Sequence, residues 1–223
     1  MATFYPVLLQ LAGRPCVVIG GGPVAEAKVA ALLRSQACVT VVAPELTPAL
    51  AQWAAQGQLR WVPREYLPGD LSGAFLAIAA TDDPRTNERI WQEAEQRRVL
   101  LNAVDDVSHC HFIAPAVHRQ GDITVAVSTN GQSPALAVLV RDRIASLIGP
   151  EYGELASILG EMRAEVNRRL PDPESRKALW QAVLAAGALE LVREGRPDDL
   201  RRRIRELARQ MAGESCAEEQ HPR

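Results

Sequence analysis

A short apolar strand runs directly into a glycine-rich turn near the start of the chain. Residues 16–25 read Cys-Val-Val-Ile-Gly-Gly-Gly-Pro-Val-Ala, and a helical pattern of apolar residues follows at once. The spacing Gly20-x-Gly22-x-x-Ala25 fits the dinucleotide fingerprint, with alanine at its third small position. In this fingerprint the three small residues permit a sharp turn, the approach of a pyrophosphate, and close packing of helix on sheet. The turn therefore predicts a nucleotide-binding βαβ unit, and a merely tight strand-to-helix turn is the alternative.

The order of the predicted elements indicates an α/β fold class. Strands are predicted at residues 16–19, 39–42, 59–62, 75–80, 100–104 and 123–127. Helices are predicted between them, at residues 24–35, 48–56, 84–97 and 134–148. Strands separated by helices form βαβ crossovers, which require a parallel sheet. We therefore expect a Rossmann-like parallel sheet in the first part of the chain.

The starts of four helices are marked by the residues that stand there. A capping side chain followed by proline marks four starts, at Thr47-Pro48, Asp83-Pro84, Ser133-Pro134 and Asp172-Pro173.

After about Pro150 the apolar residues recur only at helical spacing, up to residue 212. The sequence thus predicts a small all-helical C-terminal domain, and a polar tail at 213–223 that we expect to be disordered.

The composition narrows the class of protein. With 223 residues, 47% hydrophobic residues and a net charge of −2, the chain has an ordinary globular composition. No basic stretch interleaves with aromatic residues, so we expect no nucleic-acid partner. No apolar run is long enough for a membrane span, and the first ten residues lack a secretion signal. The four cysteines are scattered without metal-ligand spacing, which favours a reduced, cytoplasmic protein.

Cofactor contacts are expected where the parallel strands end, because dinucleotides bind beyond the carboxyl ends of such strands. The second strand is followed by Ala43-Pro44-Glu45, with alanine where an acidic ribose clamp usually stands. Either Glu45 or the backbone around Pro44 can reach the ribose, and no adjacent arginine welcomes a 2′-phosphate, which favours NAD over NADP. The fourth strand is followed by small residues and Thr81, which let a cofactor lie close to backbone, although Asp83 also caps the next helix.

Candidate catalytic and substrate-binding residues follow the later strands. Asp105 comes after the fifth strand, where a carboxylate beside a nicotinamide can act as a general base; a turn or cap role is the alternative. The polar loop at residues 128–134 can bind carboxylates at the next helix N-terminus, or can be an ordinary capped loop. In an extended segment, His109 and His111 would point away from Cys110, so we predict no metal site there.

Further motifs follow one another in order along the first 150 residues. They are Tyr5-Pro6-Val7, the glycine turn with Lys28, Val41–Glu45, Ala77–Asp83 with Asn87, Asn102–Asp106, Cys110, Phe112–Ala116, Val125–Gly131, Ser133-Pro134 and Arg141–Ile144. In this combination the chain resembles the precorrin-2 dehydrogenase/sirohydrochlorin ferrochelatase family, which includes the N-terminal module of siroheme synthase. The combination is far more specific than any single motif.

The resemblance implies a reaction and an organisation. Members of this family oxidise precorrin-2 to sirohydrochlorin with NAD, and many also insert ferrous iron, whereas some relatives only oxidise. It implies a homodimer with a Rossmann domain at residues 1–112, a dimerisation segment at 113–149 and a helical domain at 150–212. The chain is also expected to be too short to hold the methyltransferase that is fused to this module in the larger siroheme synthases.

The resemblance also assigns site residues. Asp105 matches the active-site aspartate of the family. The cofactor-binding residues are expected to be Gly20, Gly21, Gly22, Pro23, Val24, Pro44, Glu45 and Thr81. The loop residues expected to bind the tetrapyrrole substrate are Ser128, Asn130 and Ser133.

Two other functions compete with this interpretation. A non-catalytic NAD-sensing regulatory module would share the glycine turn but would not need Asp105 or the serine loop. An unrelated NAD-dependent reductase is also compatible with the fold, because a fold does not fix a function. Since no Walker lysine follows the glycines, a phosphoryl-transfer enzyme is disfavoured.

Overall fold

The computed structural model describes residues 4–213, which form two compact units. The first unit contains residues 4–114 together with 130–132, and the second contains residues 115–129 and 133–213. In the described part of the chain, no helix combines the length and the apolar character that crossing a membrane requires.

The first unit is built on a five-stranded parallel sheet, as predicted. Its strands are β1 (Pro15–Ile19), β2 (Cys38–Val42), β3 (Leu59–Val62), β4 (Leu76–Ala79) and β5 (Leu100–Ala103). Their order across the sheet is β3-β2-β1-β4-β5. The connection from β3 to β4 reverses the direction in which strands are added. In open parallel sheets, ligands bind beside such a reversal, outside the carboxyl ends of the strands.

Helices cover both faces of this sheet, which is why the inner strands β1 and β4 are apolar throughout. The helices are α1 (Pro23–Arg34), α2 (Pro48–Ala55) and α3 (Pro84–Arg97). Along β1, Cys16 and Val18 pack in one core with residues of α1 and α2. Val17 and Ile19 point to the opposite face and pack in a second core with residues of α3.

The second unit contains a β-hairpin and five helices. The hairpin strands are β6 (Ala116–Gln120) and β7 (Ile123–Val127), which pair antiparallel. The helices are α4 (Pro134–Ala145), α5 (Pro150–Arg169), α6 (Pro173–Ala185), α7 (Ala188–Arg193) and α8 (Pro197–Met211). The core formed by α5 to α8 includes Leu155, Leu179 and Ile204, which are fully or almost fully buried. The predicted all-helical region after Pro150 is therefore confirmed.

The strand predicted at residues 123–127 is confirmed as β7. Its antiparallel partner, β6, was missed by the sequence analysis. The two strands are joined by Gly121-Asp122, and Gly121 has φ +56°, as at the first turn position of a type II′ hairpin. A Gly-Asp pair between two short strands is a recognised hairpin signal, so the information was present in the sequence.

The four predicted helix caps are confirmed. The side chains of Thr47, Asp83, Ser133 and Asp172 each accept a hydrogen bond from the first turn of the helix that follows, and each helix begins with proline. The expected tail lies outside the described residues from residue 214 onwards, and the boundaries placed at residues 112, 149 and 212 stay predictions.

Candidate functional site

A cleft lies at the carboxyl edge of the parallel sheet, where the strands of the first unit end. Its volume is about 540 Å³, which is within the range of small-molecule sites. The lining residues come from the glycine turn after β1, from the loop after β2, from the segment after β3 and from the start of α3. Of the predicted cofactor residues, the cleft brings together Gly20, Gly21, Gly22, Pro44, Glu45 and Thr81.

The three glycines of the turn have different reasons to be glycine. Gly20 has φ +119°, and a Cβ on it would lie 2.2 Å from the carbonyl oxygen of Ala80. A Cβ on Gly21 would lie 1.9 Å from the carbonyl oxygen of Glu45. Both residues are therefore required by the protein's own packing, and for Gly21 the sequence analysis had not seen this reason.

Gly22 differs from its two neighbours. It has an ordinary φ of −83°, and a Cβ on it would meet no atom of the described chain within 4 Å. It stands at the N-cap of α1 and lines the cleft. Because neither conformation nor packing requires glycine here, its missing side chain leaves space for a ligand at the helix N-terminus. A helix N-terminus attracts phosphate through its unpaired N–H groups and partial positive charge.

Pro23 and Val24 form the first turn of α1 and do not belong to the cleft lining. Proline at this position suits the start of the helix, because its missing N–H would be unpaired there in any case. Val24 is 47% exposed. The structure thus gives Pro23 a role in starting α1, and a contact of either residue with a cofactor stays a prediction.

The ribose side of the cleft is acidic. Ala43 is 2% exposed, so the position of the usual ribose clamp is filled by a small buried residue, whose carbonyl oxygen accepts a hydrogen bond from Trp61 Nε1 at 2.9 Å. Glu45 and Glu65 line the cleft with exposed side chains. In the described part of the chain, no lysine or arginine lines this cleft. The arrangement therefore offers acceptors to ribose hydroxyls and no cation to a 2′-phosphate.

Thr81 contributes both to the cleft and to the start of α3. Its hydroxyl accepts a hydrogen bond from the Asp83 N–H at 3.2 Å, and its carbonyl accepts one from Asn87 Nδ2 at 3.0 Å. The carboxylate of Asp83 accepts from the hydroxyl of Thr86 and from the N–H groups of Arg85 and Thr86, and these bonds lower the pKa of Asp83. The predicted cap is confirmed, and Thr81 lines the cleft, whereas its contact with a cofactor stays a prediction.

A buried carboxylate that the sequence analysis missed supports one wall of the cleft. Glu93 of α3 accepts hydrogen bonds from the Tyr66 hydroxyl at 2.5 Å, the Gly69 N–H at 3.0 Å and Arg97 Nε at 2.6 Å. Burial alone would raise the pKa of Glu93, but these hydrogen bonds lower it below its ordinary value. Tyr66, which lines the cleft, is thereby fixed in position. The signal in the sequence was a glutamate on the same helix face as Ile90 and Ala94, which are both buried.

Asp105 lies in the turn that follows β5. The Asp106 N–H closes this turn by donating to the Ala103 carbonyl at 3.4 Å, and Asp105 has φ +61°. Its side chain is exposed and, within residues 4–213, has no hydrogen-bond or ion-pair partner. By contrast, Asp106 accepts bonds from Ser108 and His109, which lower its pKa. An exposed, unpaired carboxylate on strained backbone is a feature found at functional sites.

The segment after this turn covers the open edge of β5. The Leu101 N–H donates to His111 Nδ1 at 3.1 Å, and the Ala103 N–H donates to Cys110 Sγ at 3.2 Å. The other ring nitrogen of His111 lies 2.5 Å from Glu95 Oε1.

His109 ends a short 3₁₀ turn (Val107–His109), so the extended geometry that we expected for this segment is wrong at His109. The rings of His109 and His111 both contact Trp91. The described residues contain no group of three side chains arranged to hold a metal ion.

The serine loop is divided between the two units. Ser128 and Ser133 belong to the second unit, and Asn130 belongs to the first. The Ser133 hydroxyl caps α4 by accepting from the Leu136 N–H at 3.2 Å. Asn130 and Gly131 both have positive φ, and a Cβ on Gly131 would lie 3.1 Å from Val107. The tip of the loop therefore lies beside the turn that carries Asp105.

Three family models match the chain in sequence order. Residues 7–116 match a family described as NAD(P)-binding, and residues 120–147 match the central region of sirohaem biosynthesis proteins. Residues 151–207 match the sirohaem synthase dimerisation region. This last match lies in the predicted helical domain, after the segment at 113–149 to which we had assigned dimerisation.

Curated relatives carry the same name. The chain is 41% identical over 198 residues to a siroheme synthase of Thioalkalivibrio sulfidiphilus, covering 89% of this chain and 40% of that protein. It is 36% identical over 209 residues to siroheme synthase 1 of Serratia proteamaculans, covering 94% of this chain and 44% of that protein. The chain thus spans less than half the length of these relatives.

A solved structure is similar over nearly the whole chain. It is that of SirC, a precorrin-2 dehydrogenase, which matches with a TM-score of 0.77 and 26% sequence identity. The match covers 91% of this chain and 100% of that one. Three family models in order, the same fold and the relatives above thus make this chain similar to siroheme synthases and to a precorrin-2 dehydrogenase.

Proposed function

We propose that this chain oxidises precorrin-2 to sirohydrochlorin, with NAD as the hydride acceptor. The observation that carries the proposal is that the nucleotide cleft and the unpaired carboxylate of Asp105 stand at the same edge of one parallel sheet. β1, which leads into the glycine turn, and β5, which leads into Asp105, are separated by β4 alone. This corresponds to two strand spacings of about 4.8 Å each.

The cleft suits NAD. We assign the space left by Gly22 at the N-terminus of α1 to the pyrophosphate, and we assign Pro44 and Glu45, which line the cleft, to the adenosine ribose. The absence of lysine and arginine from the described lining favours an unphosphorylated ribose over NADP. When bound, NAD supplies the hydride acceptor, and the chain has to place it and to remove a proton from the substrate.

We assign the removal of the substrate proton to Asp105. Oxidation of precorrin-2 removes two electrons and two protons, which leave as a hydride to NAD and as a proton. The carboxylate of Asp105 accepts that proton and releases it to solvent. Because precorrin-2 carries eight carboxylates, we assign Ser128, Asn130 and Ser133 to hydrogen bonds with these acidic side chains. The neighbourhood of Gly131 and Val107 supports this for the tip of the loop.

The test is an anaerobic incubation of the protein with precorrin-2 and NAD, followed by absorbance. We expect conversion to sirohydrochlorin, and Asp105→Asn should slow it about a hundredfold, the usual scale for the loss of a general base. NAD affinity should stay unchanged. Asp106→Asn is the matched control, because this neighbouring carboxylate is already bound to Ser108 and His109, and its effect should be much milder.

Three outcomes separate the alternatives. A normal rate with Asp105→Asn would remove this residue from the mechanism. NAD binding without any conversion of the tetrapyrrole would favour the non-catalytic NAD-sensing module. Addition of ferrous iron after the oxidation tests for the chelatase activity, in which a base near the ring centre would accept the two pyrrole protons that iron displaces.

We further propose that the chain works as a homodimer in the cytoplasm. Helix α4 buries only Ala137, whereas its Leu136 and Leu139 are 49% and 50% exposed, and Leu147, just after the helix, is 72% exposed. A second copy that covers these residues would bury an apolar face of this kind. The match of residues 151–207 to a dimerisation region supports the dimer. The free thiols at positions 16, 38 and 110 are consistent with a reducing compartment.

A further inference from the structure

One sulfur atom lies against both ends of the turn that carries Asp105. Cys110 Sγ accepts a hydrogen bond from the Ala103 N–H at 3.2 Å. It also lies 3.2 Å from the carbonyl oxygen of Ala103 and 3.2 Å from that of Asp106, to either of which the thiol can donate. Residues 103 and 106 are the first and last residues of the turn, so Cys110 connects its two ends across Asp105.

The thiol is itself held by the buried side chain of Asn102. Asn102 Nδ2 donates to Cys110 Sγ at 3.4 Å and to the Phe112 carbonyl at 3.1 Å. Asn102 is 6% exposed, so this amide is fixed in the interior of the unit. Burial raises the pKa of the Cys110 thiol, which therefore keeps the proton that it donates to the turn.

The conformation of Asp105 depends on this support, because within the described chain no contact of its own side chain stabilises it. A residue other than glycine is disfavoured in the left-handed region relative to ordinary backbone. Within the described chain, no side-chain hydrogen bond stabilises Asp105 in this conformation. Its direction is consequently set by the two ends of the turn, and these are the groups that contact Cys110.

We propose that Cys110 is a positioning residue for Asp105, which keeps the carboxylate in its left-handed conformation at the carboxyl edge of the sheet. The proposal rests on the proposed function, because it assigns Cys110 no chemistry other than that of Asp105. It predicts that the loss of the thiol lowers kcat and leaves NAD affinity and the KM for precorrin-2 unchanged.

The experiment compares the same substitution, cysteine to alanine, at two positions. Cys110→Ala should lower kcat about tenfold, since misplacing a reacting group by a fraction of an ångström to 1 Å costs one to two orders of magnitude. Cys16→Ala is the matched control: Cys16 is 1% exposed in β1, its thiol pKa is raised to about 11 by burial, and within residues 4–213 its thiol makes no hydrogen bond to the turn. This control should retain kcat. Cys110→Ser, which keeps a donor and an acceptor, should recover most of the rate.

The decisive measurement combines Cys110→Ala with Asp105→Asn. If Cys110 acts through Asp105, the double variant should be no slower than Asp105→Asn alone, because effects that share one pathway are not additive. A further tenfold loss in the double variant would overturn the proposal, as would equal kcat values for Cys110→Ala and Cys16→Ala. A normal rate with Asp105→Asn would instead contradict the proposed function, so the two failures are distinguishable.

Discussion

Gly22 offers a substitution that should separate cofactor binding from folding. We expect Gly22→Asp to weaken NAD binding strongly while the protein stays folded. The new Cβ enters open space, since no atom of the described chain lies within 4 Å of it. Gly22 is also the N-cap of α1, where aspartate is more favourable than glycine by a few tenths of a kcal/mol. The melting temperature should therefore stay the same or rise by about 1–2 °C.

The loss of binding can be estimated from charge. A carboxylate about 4 Å from a phosphate charge, at an effective dielectric constant of about 20, is repelled by about 4 kcal/mol. Screening reduces this value, so we expect a loss of about 3 kcal/mol, or about a hundredfold in Kd. Gly22→Asn has nearly the same size without the charge, and the difference between the two variants isolates the electrostatic part.

Isothermal titration with NAD gives the affinities, and thermal unfolding gives the stability. Gly21→Ala is the contrasting variant, because its Cβ would lie 1.9 Å from the Glu45 carbonyl oxygen. It should destabilise the protein by about 1–3 kcal/mol, the usual cost of overpacking. Unchanged NAD affinity in Gly22→Asp would refute the assignment of the pyrophosphate site. A large fall in its melting temperature would show that position 22 has a packing role that the structure does not contain.

Two further predictions concern stability and assembly. Glu93→Gln should destabilise the protein by about 1.5–3 kcal/mol, the scale for hydrogen bonds to a charged group. Because the pKa of Glu93 is lowered on folding, its contribution is present above the ordinary glutamate pKa and is lost as pH falls, so urea unfolding of both proteins should converge in acid. Leu139→Asp, a change on the exposed face of α4, should give a monomeric mass by light scattering, whereas wild-type protein that is already monomeric at micromolar concentration would contradict the proposed homodimer.

The features that the sequence predicted correctly are those set by neighbouring residues. A capping side chain before proline, or a strand that runs into glycines, has the same meaning in any fold, and all four predicted caps are present. Apart from β6, whose Gly-Asp turn is a local signal, what was missed depends on residues that are distant in the sequence. The contacts of Glu93 with Tyr66 and Gly69 span more than 20 residues, and Gly21 is glycine because the loop at Glu45 lies against it. Such contacts leave no periodic pattern in the sequence.

The residues of the candidate site also differ in how far the sequence could predict them. The residues of the glycine turn were predictable because the fingerprint states their spacing and their purpose. The role of Cys110 was not, because the chain must first fold back along β5 before the thiol can reach residue 103. The structure also shows how the two adjacent carboxylates differ: Asp106 is engaged by Ser108 and His109, whereas Asp105 is left available.

Because Cys110 and His111 are bonded to the outer edge of β5, they also limit where strands can be added to this sheet. The outward N–H groups of Leu101 and Ala103 are already bonded to side chains, so a sixth strand cannot dock there without displacing them. The next strand in the chain, β6, pairs with β7. An insertion or fusion that is meant to lengthen the sheet would have to add to the other edge strand, β3. On the β5 side, added residues have to leave the sheet altogether.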